Sequence, residues 1–245
     1  MHKKPLFALI LSAAALAAAA PLSAQDGYMF GTPRVSLTLR GGAAGATANA
    51  DVFDFMTDQL TLSRGDFTSP AFGADLGIRI MPQVDLMLSV ATAQSSNDSH
   101  FRDFVETNDE EIRQTTQLTR TPVTAGLRIH LLPRGRSISK YAFVPNRFSP
   151  YVGAAAGVMW WELYQDGDFV DFETLDIFHS YFQSDGATFT ANASAGGELW
   201  VTSRVGLNVE GRYNLARADL DDDFSDFGKI DLSGWQLTAG ITVRY

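Results

Sequence analysis

The stretch WQLTAGITVRY, residues 235–245, decides the fold. Trp235, Leu237, Ala239, Ile241, Val243 and Tyr245 are apolar, while Gln236, Thr238, Gly240, Thr242 and Arg244 between them are polar or lack a side chain. An unbroken period of two is a strand with one apolar and one polar face. A tilted strand needs about 9–11 residues to cross the hydrocarbon of a bilayer, and Trp235 and Tyr245 set aromatic rings where the membrane would meet water. A soluble sheet can close in the same way, so the rest of the chain has to discriminate.

Working outward, the other end of the chain reads as a secretory signal. His2, Lys3 and Lys4 form a basic head, Leu6 to Ala20 an apolar stretch, and Pro21-Leu22-Ser23-Ala24 a small-residue cleavage region. Residues 1–24 are therefore expected to be removed, leaving a single barrel domain over 25–245. No cysteine follows the apolar run, which excludes a lipid-anchored lipoprotein, and none occurs in the whole chain, so disulfides, zinc thiolates and Cys nucleophiles are excluded too. Removal of 1–24 takes two of the 19 basic residues and none of the 28 acids, leaving 17 against 28, a formal net charge of −11. A surface of that sign repels nucleic acid. No later apolar run reaches the roughly 18 residues of a spanning helix. A membrane-spanning chain without such a helix has to be a closed barrel, because lipid offers backbone groups no other partners.

More strands of the same kind precede the last one. Val35, Leu37 and Leu39 alternate with Ser36, Thr38 and Arg40 in 34–42. The runs 72–80, 84–91, 123–131, 189–201 and 205–214 alternate likewise, and 150–162 (PYVGAAAGVMWWE) is so rich in Ala and Gly that its two faces are not distinguishable. Eight strands result. Two of the three connections on the side of the termini are very short, at 82–83 and 202–203, whereas 43–70, 95–118, 163–186 and 217–232 on the other side are long. Outer-membrane barrels sort their connections this way, with the long loops outside the cell. The exception is 132–149, with Arg134, Arg136, Lys140 and Arg147, which reads as an ordered excursion beneath the barrel.

The signal peptide, the run PYVGAAAGV at 150–158, the strand GLNVEGRYNL at 206–215 and the closing DLSGWQLTAGITVRY at 231–245 together resemble the eight-stranded OmpA/OmpX-type barrels of Gram-negative outer membranes. The resemblance implies an all-β, antiparallel, up-and-down transmembrane barrel in the bacterial outer membrane. It also implies outer-membrane lipid and lipopolysaccharide as surroundings, and recognition by the barrel-assembly machinery through the last strand and its terminal aromatic, Tyr245. A monomer is expected.

The polar faces would bring Arg40, Arg79, Arg128, Arg212 and Arg244 into the lumen with Asp75, Asp85, Glu198 and Glu210. An eight-stranded barrel has room only for its own side chains, and buried charges there need partners, so these nine residues are expected to interlock as a plug. For catalysis, the sequence offers His100, His130 and His179; His179-Ser180 with Asp176 is the nearest approach to a triad, but adjacent side chains on an extended chain point apart. The outer loops carry the acids, and Asp219, Asp221, Asp222 and Asp223 are the candidate ligands for a divalent cation, provided the chain turns there. No cofactor is expected. The reading is a non-enzymatic barrel that stabilises the envelope or presents its loops to a surface partner. The alternatives are a barrel enzyme acting on membrane lipid, a soluble lipocalin-like barrel with an apolar interior, and a small gated channel.

Overall fold

The computed structural model describes residues 31–105, 109–139, 142–172, 174–224 and 227–245. The proposed signal segment 1–24 lies outside them. Eight strands close on themselves: β1 (Val35–Ala46), β2 (Thr68–Met81), β3 (Val84–Val105), β4 (Glu111–His130), β7 (Phe148–Val170), β8 (Ile177–Trp200), β9 (Val205–Asp219) and β11 (Gly234–Arg244), all antiparallel to their neighbours. The seam is the last strand on the first, with Leu37 opposite Val243, Leu39 opposite Ile241, and Thr38 hydrogen-bonded to Thr242 at 2.8 Å inside. A closed ladder leaves no edge.

The faces follow the alternation. Leu237 is 57% exposed on the outer wall and Thr238 3% exposed inside. Parity also resolves the Ala/Gly-rich β7: Trp160 points out at 51% exposure and Trp161 in at 4%. Around the outer wall, Phe72, Trp160, Phe189, Tyr213 and Trp235 lie exposed toward the loop-bearing rim, and Phe148 and Tyr245 toward the opposite, C-terminal rim. Aliphatic residues such as Leu39, Leu88, Leu127 and Ile241 are exposed between them. That belt is the reverse of a ligand-binding barrel with an apolar interior, because the charges are inside and the large apolar side chains outside. No described helix is long and apolar enough to cross a membrane.

The connections differ from a simple picture of loops. β3 and β4 continue as one ladder to Val105 and Glu111, and β7 and β8 to Val170 and Ile177, so the expected loops 95–118 and 163–186 are mostly strand. Beyond the apolar belt both faces of these strands are polar, as in Ser95-Ser96-Asn97-Asp98 and Thr115-Thr116-Gln117. The ladder persists, but the hydrophobic contrast that reveals a strand does not. The segment 43–70 holds a helix, α1 (Asp51–Gln59), and a 3-10 turn, Arg64–Phe67. Val52, Phe53 and Met56 form the buried face of α1, with Asp51 and Asp54 in the first turn where the helix dipole favours acids. The excursion at the terminal rim is a hairpin, β5 (Gly135–Ser139) paired with β6 (Ala142–Pro145). A short β10 (Lys229–Asp231) pairs back onto β9.

Candidate functional site: the filled lumen and the loop-bearing end

The middle of the lumen is an ion-pair lattice. Arg40 on β1 donates from Nε to Asp75 on β2 at 2.8 Å, and Arg212 on β9 reaches the same carboxylate at 3.5 Å. Ser89 also hydrogen-bonds Asp75. Arg212 pairs with Glu210 at 2.7 Å, and Arg128 on β4 spans the barrel to both Glu210 and Glu198, at 3.2 and 3.3 Å. Tyr151 donates to Glu210 at 3.0 Å, accepts from Asn208 at 2.8 Å, and lies beneath the Arg128 guanidinium at 4.0 Å. Asp75 and Glu210 thus each meet cations from two strands, and Arg128 adds Glu198, which ties the wall together across the bore. The facing stretch of β7 carries only Gly153, Ala155 and Gly157 inward, leaving space for these long side chains. A Cβ on Gly157 would collide with the Val123 carbonyl oxygen.

The terminal rim departs from the sequence expectation. Asp85 is paired not with the strand arginines but with Arg134, from the segment leading into β5, at 2.7 Å. Arg79 sits at the rim, donating to the Pro82 carbonyl at 2.7 Å, with its guanidinium 6.0 Å from the Phe143 ring of β6. Arg244 donates to the Ser203 carbonyl at 2.8 Å and stacks 3.5 Å over Trp200. Arg79 and Arg244, like Asp85, therefore stand apart from the direct ion pairs that join Arg40, Asp75, Arg128, Glu198, Glu210 and Arg212. The positions of the two arginines at the strand ends bring them to turn carbonyls and aromatic rings instead. With Arg134 and Phe143 buried, the hairpin closes this mouth from below.

Beside Asp85 lies a cluster that sequence reasoning missed: Ser149 Oγ is 2.8 Å from His130 Nδ1, and His130 Nε2 is 3.3 Å from Asp85. His130 shares the inward parity of Arg128, which is the signal that could have found it. The order serine–histidine–aspartate matches a hydrolytic relay. All three are buried, however, with Ser149 at 0% exposure, and Arg134 holds both oxygens of Asp85. His179, by contrast, is 3.0 Å from Asp168, its neighbour across the β7–β8 pair, on the exposed surface.

The loop-bearing end is closed by apolar packing rather than charge. Val52, Phe53 and Met56 of α1 join Leu60, Phe67, Ile112, Leu118, Trp161, Leu163, Ile230 and Leu232 in one buried cluster across the upper bore. Phe53 meets Phe67 edge-on at 4.9 Å. Below it Arg120, also unforeseen, donates to the Leu232 carbonyl at 3.2 Å. The lumen is charged at its middle and lower levels and apolar on top.

The candidate cation ligands are drawn apart. Asp219 pairs with Lys229 at 3.0 Å. Asp221 and Asp223 accept the backbone N–H groups of Asp185 and Gln183, both at 3.1 Å. β8 loses its β9 partner above Thr190, and these two carboxylates occupy the hydrogen-bonding edge that β9 leaves. Asp222's side chain lies outside the described ones. Among the described residues, no group of three or more His, Asp or Glu is placed to hold a metal ion.

A family model described as outer membrane protein beta-barrel domain matches residues 11–242. Among solved structures, the chain is similar to Neisserial surface protein A, with 14% identity, 86% of this chain and 97% of that one covered, and a TM-score of 0.44. It is similar to the outer membrane protein OprG of Pseudomonas aeruginosa at 12% identity, 88% and 98% coverage, and a TM-score of 0.45. It is also similar to Ail, the attachment invasion locus protein of Yersinia pestis, at 12% identity, 89% and 99% coverage, and a TM-score of 0.42. No curated protein matches.

Proposed function

The chain belongs to the outer membrane protein β-barrel domain family, a bacterial outer-membrane protein, and from that premise we propose that it works as a solid, non-enzymatic barrel that braces the envelope and presents its loop-bearing end at the cell surface. The observation that carries this reading is closure of the bore at three levels. The hairpin with Arg134 fills the periplasmic mouth, the Arg128–Glu198–Glu210 lattice the middle, and α1 with its apolar cluster the extracellular end. A bore filled in this way favours a scaffold over a pore. The partners we assign are lipid along the aromatic-edged belt, lipopolysaccharide around its outer rim, and the assembly machinery at the closing strand. There Tyr245 is exposed on the outer wall. Ser149, His130 and Asp85 form an arrangement that favours a hydrolase. Burial of the nucleophile and the Arg134 clamp make a latch for the hairpin the better reading.

Deletion of the gene, followed by parallel assays of envelope integrity and surface adhesion, tests the proposal. Loss of either with complementation by a barrel carrying Ser149→Ala supports it. Complementation by wild type but not by Ser149→Ala, with both proteins present at equal level in the outer membrane, would move the assignment to an enzyme.

A further inference from the structure

The apolar cluster under the extracellular end does not stop at the surface. Its buried member Phe101, on β3, is 6.4 Å from the ring of Phe172 and 6.2 Å from Phe104. Phe172, in the β7–β8 turn, is 5.8 Å from Phe104 and 6.1 Å from Phe55 on the outer side of α1. Phe55 is in turn 5.2 Å from Phe227. Five rings from four separate parts of the chain thus form a continuous path from the core to solvent, edge-to-face except for the tilted Phe55–Phe227 pair, and Phe172 is 50% and Phe55 38% exposed. Ring pairs of this geometry are attractive, so the crown is an assembled surface rather than a scatter of exposed residues.

Its surroundings are mainly acidic, although Arg64 pairs with Asp54 of α1 at 2.6 Å. The segments that carry or adjoin four of the five rings, 51–59, 101–105, 109–113 and 171–176, contain ten acids against two bases, Arg102 and Arg113. Asp51, Asp54 and Asp58 are exposed on α1 beside Phe55. Burying large rings at such a place requires a partner that brings apolar side chains to the centre and cations to the rim.

We propose that this crown is a docking surface for a cationic amphipathic protein segment, whose aromatic or aliphatic anchor covers Phe55 and Phe172 while its Lys and Arg residues meet the acidic surround. This rests on the reading that the loop-bearing end faces a surface partner, and it names the chemistry of that partner. An anionic polymer or anionic membrane is disfavoured by the same charges.

The test uses the full-length barrel in detergent and two labelled peptides: one with a Trp-Leu anchor flanked by Lys and Arg, and its counterpart with every Lys and Arg replaced by Glu. The cationic peptide should bind and the anionic one should not. Raising NaCl from about 0.1 M to about 1 M, which shortens the screening length from about 10 Å to about 3 Å, should weaken binding. The double variant Phe55→Ser/Phe172→Ser should lose roughly tenfold in affinity, and Asp51→Asn/Asp58→Asn should reduce the salt dependence. Each variant is first shown to keep the heat-modifiable migration of the folded barrel. Equal binding of both peptides, equal binding by the Phe variant, or binding only to vesicles of anionic phospholipid would overturn the proposal. Adhesion retained by cells carrying the Phe variant would place the adhesive site elsewhere and leave the adhesive role intact. Adhesion unchanged in the deletion strain would remove that role.

Discussion

At the scale of single residues, the arrangement rests on parity, and parity makes sharp demands. Leu237 is on the outer wall and Thr238, one position on, is within the bore. Leu237→Arg sets a charge against lipid at a cost of about 2–4 kcal/mol near the midplane. Thr238→Arg adds bulk to a bore that already accommodates arginines. Assembly yield should fall far more for the first than for the second, and equal yields would mean the faces are reversed. Glu210 joins Arg128, Arg212 and Tyr151, so Glu210→Ala takes a carboxylate from two buried arginines, leaving each its longer pair, and should lower stability by about 3 kcal/mol, read as an earlier urea midpoint. Lys229→Ala, which breaks an exposed pair, should leave the midpoint unchanged. The lumen charges were legible in the sequence because alternation assigns every residue of a strand to a face. Their partners were not: Asp85 takes Arg134 from beyond the strand end, and no periodicity reports a contact made by an excursion.

At the scale of elements, the eight crossing strands were legible because the membrane imposes an apolar outer face on each. Where the wall leaves the membrane that constraint ends. Thr115 to Leu118 and Ser95 to Asp98 remain in the ladder without the contrast that marked it lower down. α1 was hidden for another reason. Its nine residues are too few for a persistent helical signal, although Val52, Phe53 and Met56 with Leu60 follow the spacing of one buried face. Phe53→Ala should destabilise this cap by about 3–5 kcal/mol, the usual cost of emptying a buried phenylalanine site. The expected readout is rapid protease cleavage within 43–70 while the rest of the barrel stays intact. Resistance equal to wild type would show that α1 does not depend on the core.

At the scale of the whole molecule, a hydrogen-bond ladder closed through the β1–β11 seam has no edge from which to unravel. The protein should therefore fractionate with the outer membrane and migrate differently in detergent gels before and after boiling, whereas recovery from the soluble periplasm would refute the assignment of its place. Closure of the wall and closure of the bore are separate properties, and the functional account depends on the second. Single-channel recording of the purified barrel in planar bilayers measures it directly. The account predicts no stable open level in the wild type. Steady conductance on the order of a nanosiemens, the behaviour of barrels wide enough to hold an aqueous channel, would contradict the filled lumen and make the protein a pore.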